Sequence, residues 1–151
     1  MSEHLMSERL AIVSVIDPVL YASGTDLGDA IDMRSHRQVM FISAAGSINT
    51  ADTIDFKVTE SDTSGGTYHP ITGKAITQFV KADANKQAIV NVRASELSSG
   101  HRWLKGRLYM TGVTGTKTGA CVIALASHSR HSDAVTSTTF GDLGSVAEIV
   151  A

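Results

Sequence analysis

The stretch TIDFKVTESDTSGGTYHPITGKAITQFVKADANKQAIVNVR, residues Thr53–Arg93, decides the fold. Ile54, Phe56 and Val58 alternate with polar residues, the period of two that places apolar side chains on one face of a β-sheet. Its polar breaks, SDTSGG and KADANK, are rich in residues that favour turns. The stretch therefore predicts short strands joined by loops, and it contains no pattern typical of a catalytic site.

The same alternation extends along most of the chain. Strands are predicted at Leu10–Ile16, Ala30–Met33, Gln38–Ala45, Thr53–Glu60, Thr67–Ile71, Ala75–Val80, Gln87–Arg93, Arg102–Thr111 and Gly119–Ser127. Gln38–Ala45 is apolar on both sides, which predicts a central strand covered on both faces. No long helix is indicated. Short strands at this spacing predict an all-β fold, a jelly-roll-like β-sandwich.

Composition divides the chain into three predicted segments. These are an extended N-terminal arm at 1–9, a β-sandwich domain at 10–128 and a C-terminal tail at 129–151. The arm is polar and has no apolar signal-peptide core. The tail ends on apolar residues, so we expect it either to add a strand to this molecule or to dock on a neighbour's sheet edge.

The composition of the chain argues against nucleic-acid binding, a membrane span and a disulfide framework. Thirteen basic and fifteen acidic residues give a net charge of −2, whereas a nucleic-acid partner calls for a concentrated basic surface. The sequence contains no apolar run of 18 residues, so no membrane span is predicted. The single cysteine, Cys121, lies in an apolar run and is expected to be a buried small hydrophobe. The lack of a disulfide framework suits synthesis in a reducing cytoplasm.

Two clusters of titratable residues resemble metal sites. His128 and His131 share a face only on a helix, and their predicted context is a strand end. Asp26, Asp29 and Asp32 bracket a glycine but lack the sixth-position glycine and distal glutamate of a calcium loop. We therefore expect neither cluster to hold a metal.

Catalytic patterns are equally weak. Four carboxylates lie close in sequence and are candidates for glycoside hydrolysis: Asp52, Asp55, Glu60 and Asp62. Asp55 alternates with core residues, so it is expected on the exposed face of a sheet. Nucleophile-elbow, phosphate-loop and dinucleotide glycine patterns are absent. We expect no enzymatic activity and no cofactor.

Trp103 and Tyr109 fall on the same face of their predicted strand. If both rings are exposed, they could stack on a sugar or anchor an interface. If both are buried, they belong to a second covered face of the sandwich. The exposure of the two rings decides between these interpretations.

Several runs resemble small structural virion proteins of tailed bacteriophages and prophages. The matching runs are VIDP at 15–18, RQVMFI at 37–42, AAGSI at 44–48, IDFKVTESD at 54–62, GTY at 66–68, AITQ at 75–78 and DANKQAIVNVR at 83–93. The resemblance implies a head decoration, or cement, protein that binds the outside of the major capsid shell. It also implies a homotrimer, made in the cytoplasm of the host bacterium, whose extended termini clamp neighbouring subunits.

Two other readings stay open. The chain is alternatively a tail-tube, head–tail connector or head-fibre base protein, or else a carbohydrate-binding β-sandwich module. The residues expected to make contacts are Met1, Ser2, Glu3, His4, Leu5, Trp103, Tyr109, Val146, Ile149 and Val150, with weaker expectations for the loops Ser61–Gly66 and Lys81–Lys86. The expected partners are the major capsid protein and further copies of the chain.

Overall fold

The computed structural model describes residues 10–21, 23–112 and 117–129. In this part of the chain the strands are β1 (Leu10–Tyr21), β2 (Gly24–Leu27), β3 (Ile31–Asp32), β4 (His36–Ala45), β5 (Thr53–Ser61), β6 (His69–Ala75), β7 (Gln87–Arg93), β8 (Trp103–Thr111) and β9 (Thr118–Ser129). Single 3-10 turns at Lys81–Asp83 and Ala94–Glu96 flank β7. No helix in these residues is long and apolar enough to cross a membrane.

The strands form two antiparallel sheets. Sheet A has the order β1-β9-β4-β7, and sheet B has the order β2-β8-β5-β6. The short strand β3 also pairs with β8, beyond β2 along the same edge. Between β2 and β3 the backbone N–H of Gly28 donates to the carbonyl of Gly106 at 2.9 Å. β2 and β3 therefore act as one edge strand that is interrupted at Gly28.

This strand order is a jelly roll. The first strand pairs with the last (β1 with β9), the edge strand β2–β3 pairs with β8, β4 pairs with β7, and β5 pairs with β6. Such nested pairs arise when one long antiparallel hairpin is wrapped into two facing sheets. The prediction of an all-β, jelly-roll-like sandwich is confirmed.

The core lies between the two sheets and follows the predicted alternation. On β5 the buried side chains Ile54, Phe56 and Val58 face inward, and on β8 Leu104 and Leu108 do the same. The inward residues of sheet A include Val39, Phe41, Val92 and Val122, and these complete the core from the other side. Two aromatic rings, Phe41 and Phe56, meet across the sandwich with centroids 5.7 Å apart.

Two strand predictions were wrong. Asp17–Pro18 was expected to end the first strand, but β1 continues to Tyr21 with a register shift between Ile16 and Val19. β1 is an edge strand, where the missing N–H of proline is tolerated. The strand predicted at Ala75–Val80 is also not observed: β6 ends at Ala75, and the segment after it bonds to β5 through the N–H of Ile76 on the carbonyl of Phe56 and through an isolated bridge between Phe79 and Ile54.

Candidate assembly surface

The outer face of sheet A carries apolar side chains across all four strands. The register places Val15, Ile123, Ile42 and Ile89 in one row, from β1 through β9 and β4 to β7. A second row contains Ile12, Leu125 and Met40, and a third contains Cys121 and Ala44. We call these nine residues the apolar face: Ile12, Val15, Met40, Ile42, Ala44, Ile89, Cys121, Ile123 and Leu125.

The nine side chains of the apolar face carry no charge, and Asp17 lies at one corner of the face, in the β1 bulge opposite Cys121. Its rows are completed on β7 by Gln87 and Asn91, which are polar but neutral. Ile89 is 59% exposed and Ile123 is 38% exposed, while the other seven members are half-buried by their neighbours on the sheet. On a solvated antiparallel sheet the outer face is normally polar. The outer face of sheet A is therefore unusual, since apolar side chains occupy its centre from edge to edge.

The size of the apolar face follows from sheet geometry. Four strands at a spacing of about 4.8 Å span about 19 Å, and three rows of side chains extend about 20 Å along the strands. The product is a footprint of about 400 Å², within the range of about 300–600 Å² that is typical of the largest patch on a monomer and often functional. The apolar face is therefore large enough to be a binding surface.

The sequence explains why this face forms. On β9, Ala120, Val122 and Ala124 face the core, while the intervening Cys121 and Ile123 are also apolar. Cys121 is half-buried on the outer face, so the expectation of a buried core cysteine was wrong. Burial raises the pKa of its thiol. β4 was predicted to be covered on both faces because it is apolar on both sides, but only its inner side packs in the sandwich core.

The outer face of sheet B is polar by comparison. On β8 the outward side chains are Trp103, Lys105, Arg107 and Tyr109, as the sequence predicted. The Lys105 ammonium lies 4.8 Å from the centroid of the Tyr68 ring. These charged residues separate the two aromatic positions of the strand. Sheet B therefore offers no continuous apolar surface on β8.

Trp103 and Tyr109 do not form a joint platform. Tyr109 is 42% exposed, but Trp103 is half-buried and the guanidinium of Arg102 lies 4.9 Å from its ring centroid. Six residues separate them along the strand, which corresponds to about 20 Å. Neither simple outcome expected from the sequence, two stacked exposed rings or two buried rings, is observed.

Tyr109 lines a shallow depression on the outer face of sheet B. The depression has a volume of about 340 Å³, and Asp55, Lys57 and Arg107 contribute its charged groups. Asp55 accepts a hydrogen bond from Nε2 of Gln78 at 2.7 Å. Asp55 therefore lies on the outer face of its strand, where the alternation placed it.

The four candidate carboxylates are not brought together. Asp52 is buried and accepts a 2.6 Å hydrogen bond from Oγ1 of Thr118. Glu60 is buried and accepts a hydrogen bond from the backbone N–H of Ser98 at 2.9 Å. Asp55 faces outward, and Asp62 is exposed in the turn after β5. Two of the four therefore fasten loops to the sandwich rather than line a shared cleft.

The candidate metal clusters are dispersed in the same way. Asp26 lies in β2, Asp29 lies in the interruption after it, and Asp32 pairs with the guanidinium of Arg102. Within the described ranges no three His, Cys, Asp or Glu side chains are grouped so that they could hold a metal ion. The side chain of His128, and His131 as a whole, lie outside the residues that the structure describes.

One histidine that the sequence did not single out is buried. His36 begins β4 and is 8% exposed. Burial lowers the pKa of its imidazole, and the nearby carboxylate of Asp32 opposes that shift. His36 is therefore a group that resists protonation in the folded protein.

Most of the predicted contact residues lie outside the described chain. The arm residues Met1–Leu5 precede it, and the tail residues Val146, Ile149 and Val150 follow it. The loops Ser61–Gly66 and Lys81–Lys86 are described and lie mainly at the surface. The apolar face was not among the predicted contact regions, although its signal was present in the second apolar alternation of β4 and β9.

Comparison with known proteins identifies no family. No protein-family model matches the sequence, and no curated protein matches it. A chain in a structure of infectious bursal disease virus, Gx strain, aligns over 80% of this chain at 11% identity with a TM-score of 0.43. A chain in a structure of the Gt strain of that virus aligns over 81% at 11% identity with a TM-score of 0.28. This chain spans 33% and 41% of those two chains. The assignment of a jelly roll rests on the strand order itself.

Proposed function

We propose that this chain is a structural virion protein of a tailed bacteriophage or prophage, a decoration protein on the outside of the major capsid shell. The proposal joins the sequence resemblance to the jelly roll, an architecture found in viral capsid domains and also in lectins. Because one fold hosts many functions, the fold alone does not decide between these classes. The properties of the protein's surface therefore decide between a capsid protein and a lectin-like one.

The apolar face of sheet A is the observation that carries the proposal. A patch of about 400 Å² is within the size range of patches that are often functional, and its position on a sheet face that is normally polar suits an outer sheet covered by protein. Two of its members, Ile123 on the inner strand β9 and Ile89 on the edge strand β7, are exposed and offer no polar group to a partner. In a capsid, which is built from many copies of its proteins, every copy of this chain would meet such a partner.

A role without chemistry fits the same surfaces. The buried carboxylates Asp52 and Glu60 serve to hold loops, and the charged groups on sheet B lie at an open depression. We therefore propose a binding role and no catalytic one.

The carbohydrate-binding alternative is less well supported. A sugar platform built from Trp103 and Tyr109 needs rings that are close and free, but these rings lie about 20 Å apart along the strand and Arg102 covers one of them. Tyr109 alone, beside the sheet B depression, remains the surface on which a sugar would be sought.

Two matched lysine substitutions test the role in the particle. Ile89 on the apolar face and Leu27 on the outer face of sheet B are both 59% exposed. Purified capsid shells are mixed with wild type, Ile89→Lys or Leu27→Lys and then sedimented. We expect wild type and Leu27→Lys to co-sediment with shells, and Ile89→Lys to lose most of its binding.

Two results would contradict the proposal. A wild-type protein that stays in the supernatant with shells of its own phage is not a decoration protein. Assembly into rings or tubes in the absence of shells would instead support the tail or connector reading. Equal binding of all three proteins would keep the shell as partner but remove the apolar face from the contact.

A further inference from the structure

We propose that the apolar face of sheet A is the contact between two copies of this chain, packed face to face about a two-fold axis. The inference rests on the proposed function and deepens it: a second copy covers this face, and the pair rather than the single chain binds the shell, which is why Ile89→Lys is expected to lose shell binding. The sequence resemblance implies trimers, which need a different contact, so the symmetry is open to a direct test.

The first argument is self-complementarity. In a two-fold contact the same patch meets itself, so any charge on it would face a second charge of the same sign near the axis. The central row, Val15, Ile123, Ile42 and Ile89, contains only aliphatic side chains, and the neighbouring rows are neutral except at one corner, where Asp17 lies in the β1 bulge opposite Cys121. A patch of this composition meets its own copy without repulsion and without unpaired buried charges.

The second argument is width. The apolar face spans four strands, about 14 Å between the axes of the outer two, whereas one added segment covers roughly the 5 Å between neighbouring strands. A second sheet covers all four strands at once, because sheets pack face to face about 10 Å apart. The shape of the patch therefore fits another sheet better than a single extended peptide.

The third argument is area. A stable pair buries about 800 Å² on each partner, about twice the footprint of the apolar face. The whole outer face of sheet A is larger, since its four strands have 12, 12, 10 and 7 residues, and at about 3.4 Å per residue and about 4.8 Å per strand they cover about 670 Å². Around the apolar centre lie polar residues such as Gln38, Ser127 and Arg93. This arrangement of apolar centre and polar rim is that of a protein interface.

Sedimentation velocity over a range of concentrations tests the pairing in solution. We expect wild type and Leu27→Lys to sediment as dimers at micromolar concentration and Ile89→Lys as a monomer. Two-fold symmetry places one new ammonium from each copy in the interface, so we expect the dissociation constant of the dimer to rise by about a hundredfold or more. The far-UV circular dichroism of the three proteins should be the same, because both positions are exposed.

Cys121 provides an independent readout. It is the single cysteine of the chain and belongs to the apolar face, so a maleimide reagent reports whether the face is covered. We expect its labelling rate in wild type to fall as protein concentration rises through the dimer range. In Ile89→Lys the rate should be higher and independent of concentration.

Three other results overturn the inference, and a fourth overturns only the proposed function. A monomer whose Cys121 is protected at every concentration would mean that the apolar face is covered within one molecule, with residues 130–151 as the first candidate. A monomer with freely reactive Cys121 that still binds shells would assign the face to the shell, and the proposed function would stand. A dimer that ignores shells would leave the pairing intact and remove the proposed function. A trimer would support the expectation drawn from the resemblance instead.

Discussion

Thr118→Val removes one buried hydrogen bond while keeping the shape of the side chain. Thr118 begins β9 in sheet A, and its Oγ1 donates to Oδ2 of Asp52, which lies just before β5 of sheet B, at 2.6 Å. The two residues are 0% and 1% exposed, and 66 positions separate them in sequence. The bond therefore joins the two sheets at one end of the sandwich, where water cannot replace it.

The expected loss is about 2–3 kcal/mol of unfolding free energy. Hydrogen bonds to a charged group contribute about 1.5–3 kcal/mol, and a buried carboxylate that loses a donor lies toward the upper end. Valine is close to threonine in volume, so no cavity adds to the loss. For a chain of this size, a change of 1 kcal/mol moves the melting temperature by about 2–4 °C. The thermal midpoint should therefore fall by about 4–12 °C.

Urea unfolding, followed by the fluorescence of the single tryptophan, measures the change. Thr72→Val is the matched control, because Thr72 is exposed on β6 and should change stability by less than about 0.5 kcal/mol. The double variant with Asp52→Asn isolates the pair, since two coupled substitutions should destabilise by less than the sum of their separate effects. If Thr118→Val is no worse than Thr72→Val, the bond does not hold the sheets together and the reasoning is refuted.

Two further predictions concern the core and acid stability. A Cβ at Gly106 would lie 2.9 Å from Cε2 of Phe56, so Gly106→Ala should lower the free energy of unfolding by about 1–2 kcal/mol, as measured by urea unfolding. Gly65→Ala is the control, because the space around Gly65 is open. Equal stability of the Gly106→Ala and Gly65→Ala variants would contradict the packing argument. Burial lowers the pKa of His36 below its usual 6.5, so as the pH falls the unfolded chain binds a proton on this histidine before the folded chain does. The stability that comes from keeping His36 neutral is therefore present above about pH 6.5 and is lost as the pH falls through that value. Unfolding at pH 7.5 and pH 5 should show a smaller acid loss in His36→Gln than in wild type, while His69→Gln, an exposed site, should behave as wild type; an unchanged acid loss in His36→Gln would contradict the assignment.

Local pattern predicted the strands where one alternation is clear. On β5 and β8 the apolar residues occupy every second position, and the structure buries those residues and turns the ones between them to the outer face. The side-chain period of a strand is a local property, so the sequence alone determines it. The same reasoning correctly placed Asp55 on an outer face and Trp103 and Tyr109 on one side of their strand.

Local pattern failed where the result depends on distant strands. Pro18 does not end β1, because the strand lies at a sheet edge and a register shift absorbs the disruption. The alternation at 76–80 does not become a strand, since its backbone bonds to β5 only at Ile76 and Phe79 and forms no continuous ladder. Neither outcome is visible without knowing which strands are neighbours.

What the sequence determined by itself is the class of the protein: short β-strands, a single cysteine and a near-neutral charge in a jelly-roll-like sandwich. What only the tertiary structure decided is the strand order and the use of each face. On β4 and β9 both alternations are apolar, so either could line a core, and Cys121 could be assigned to the wrong side. Packing of sheet A against sheet B buries one set in the sandwich core and leaves the other as the apolar face. Burial is a property of the assembled sheets, and the local sequence does not contain it.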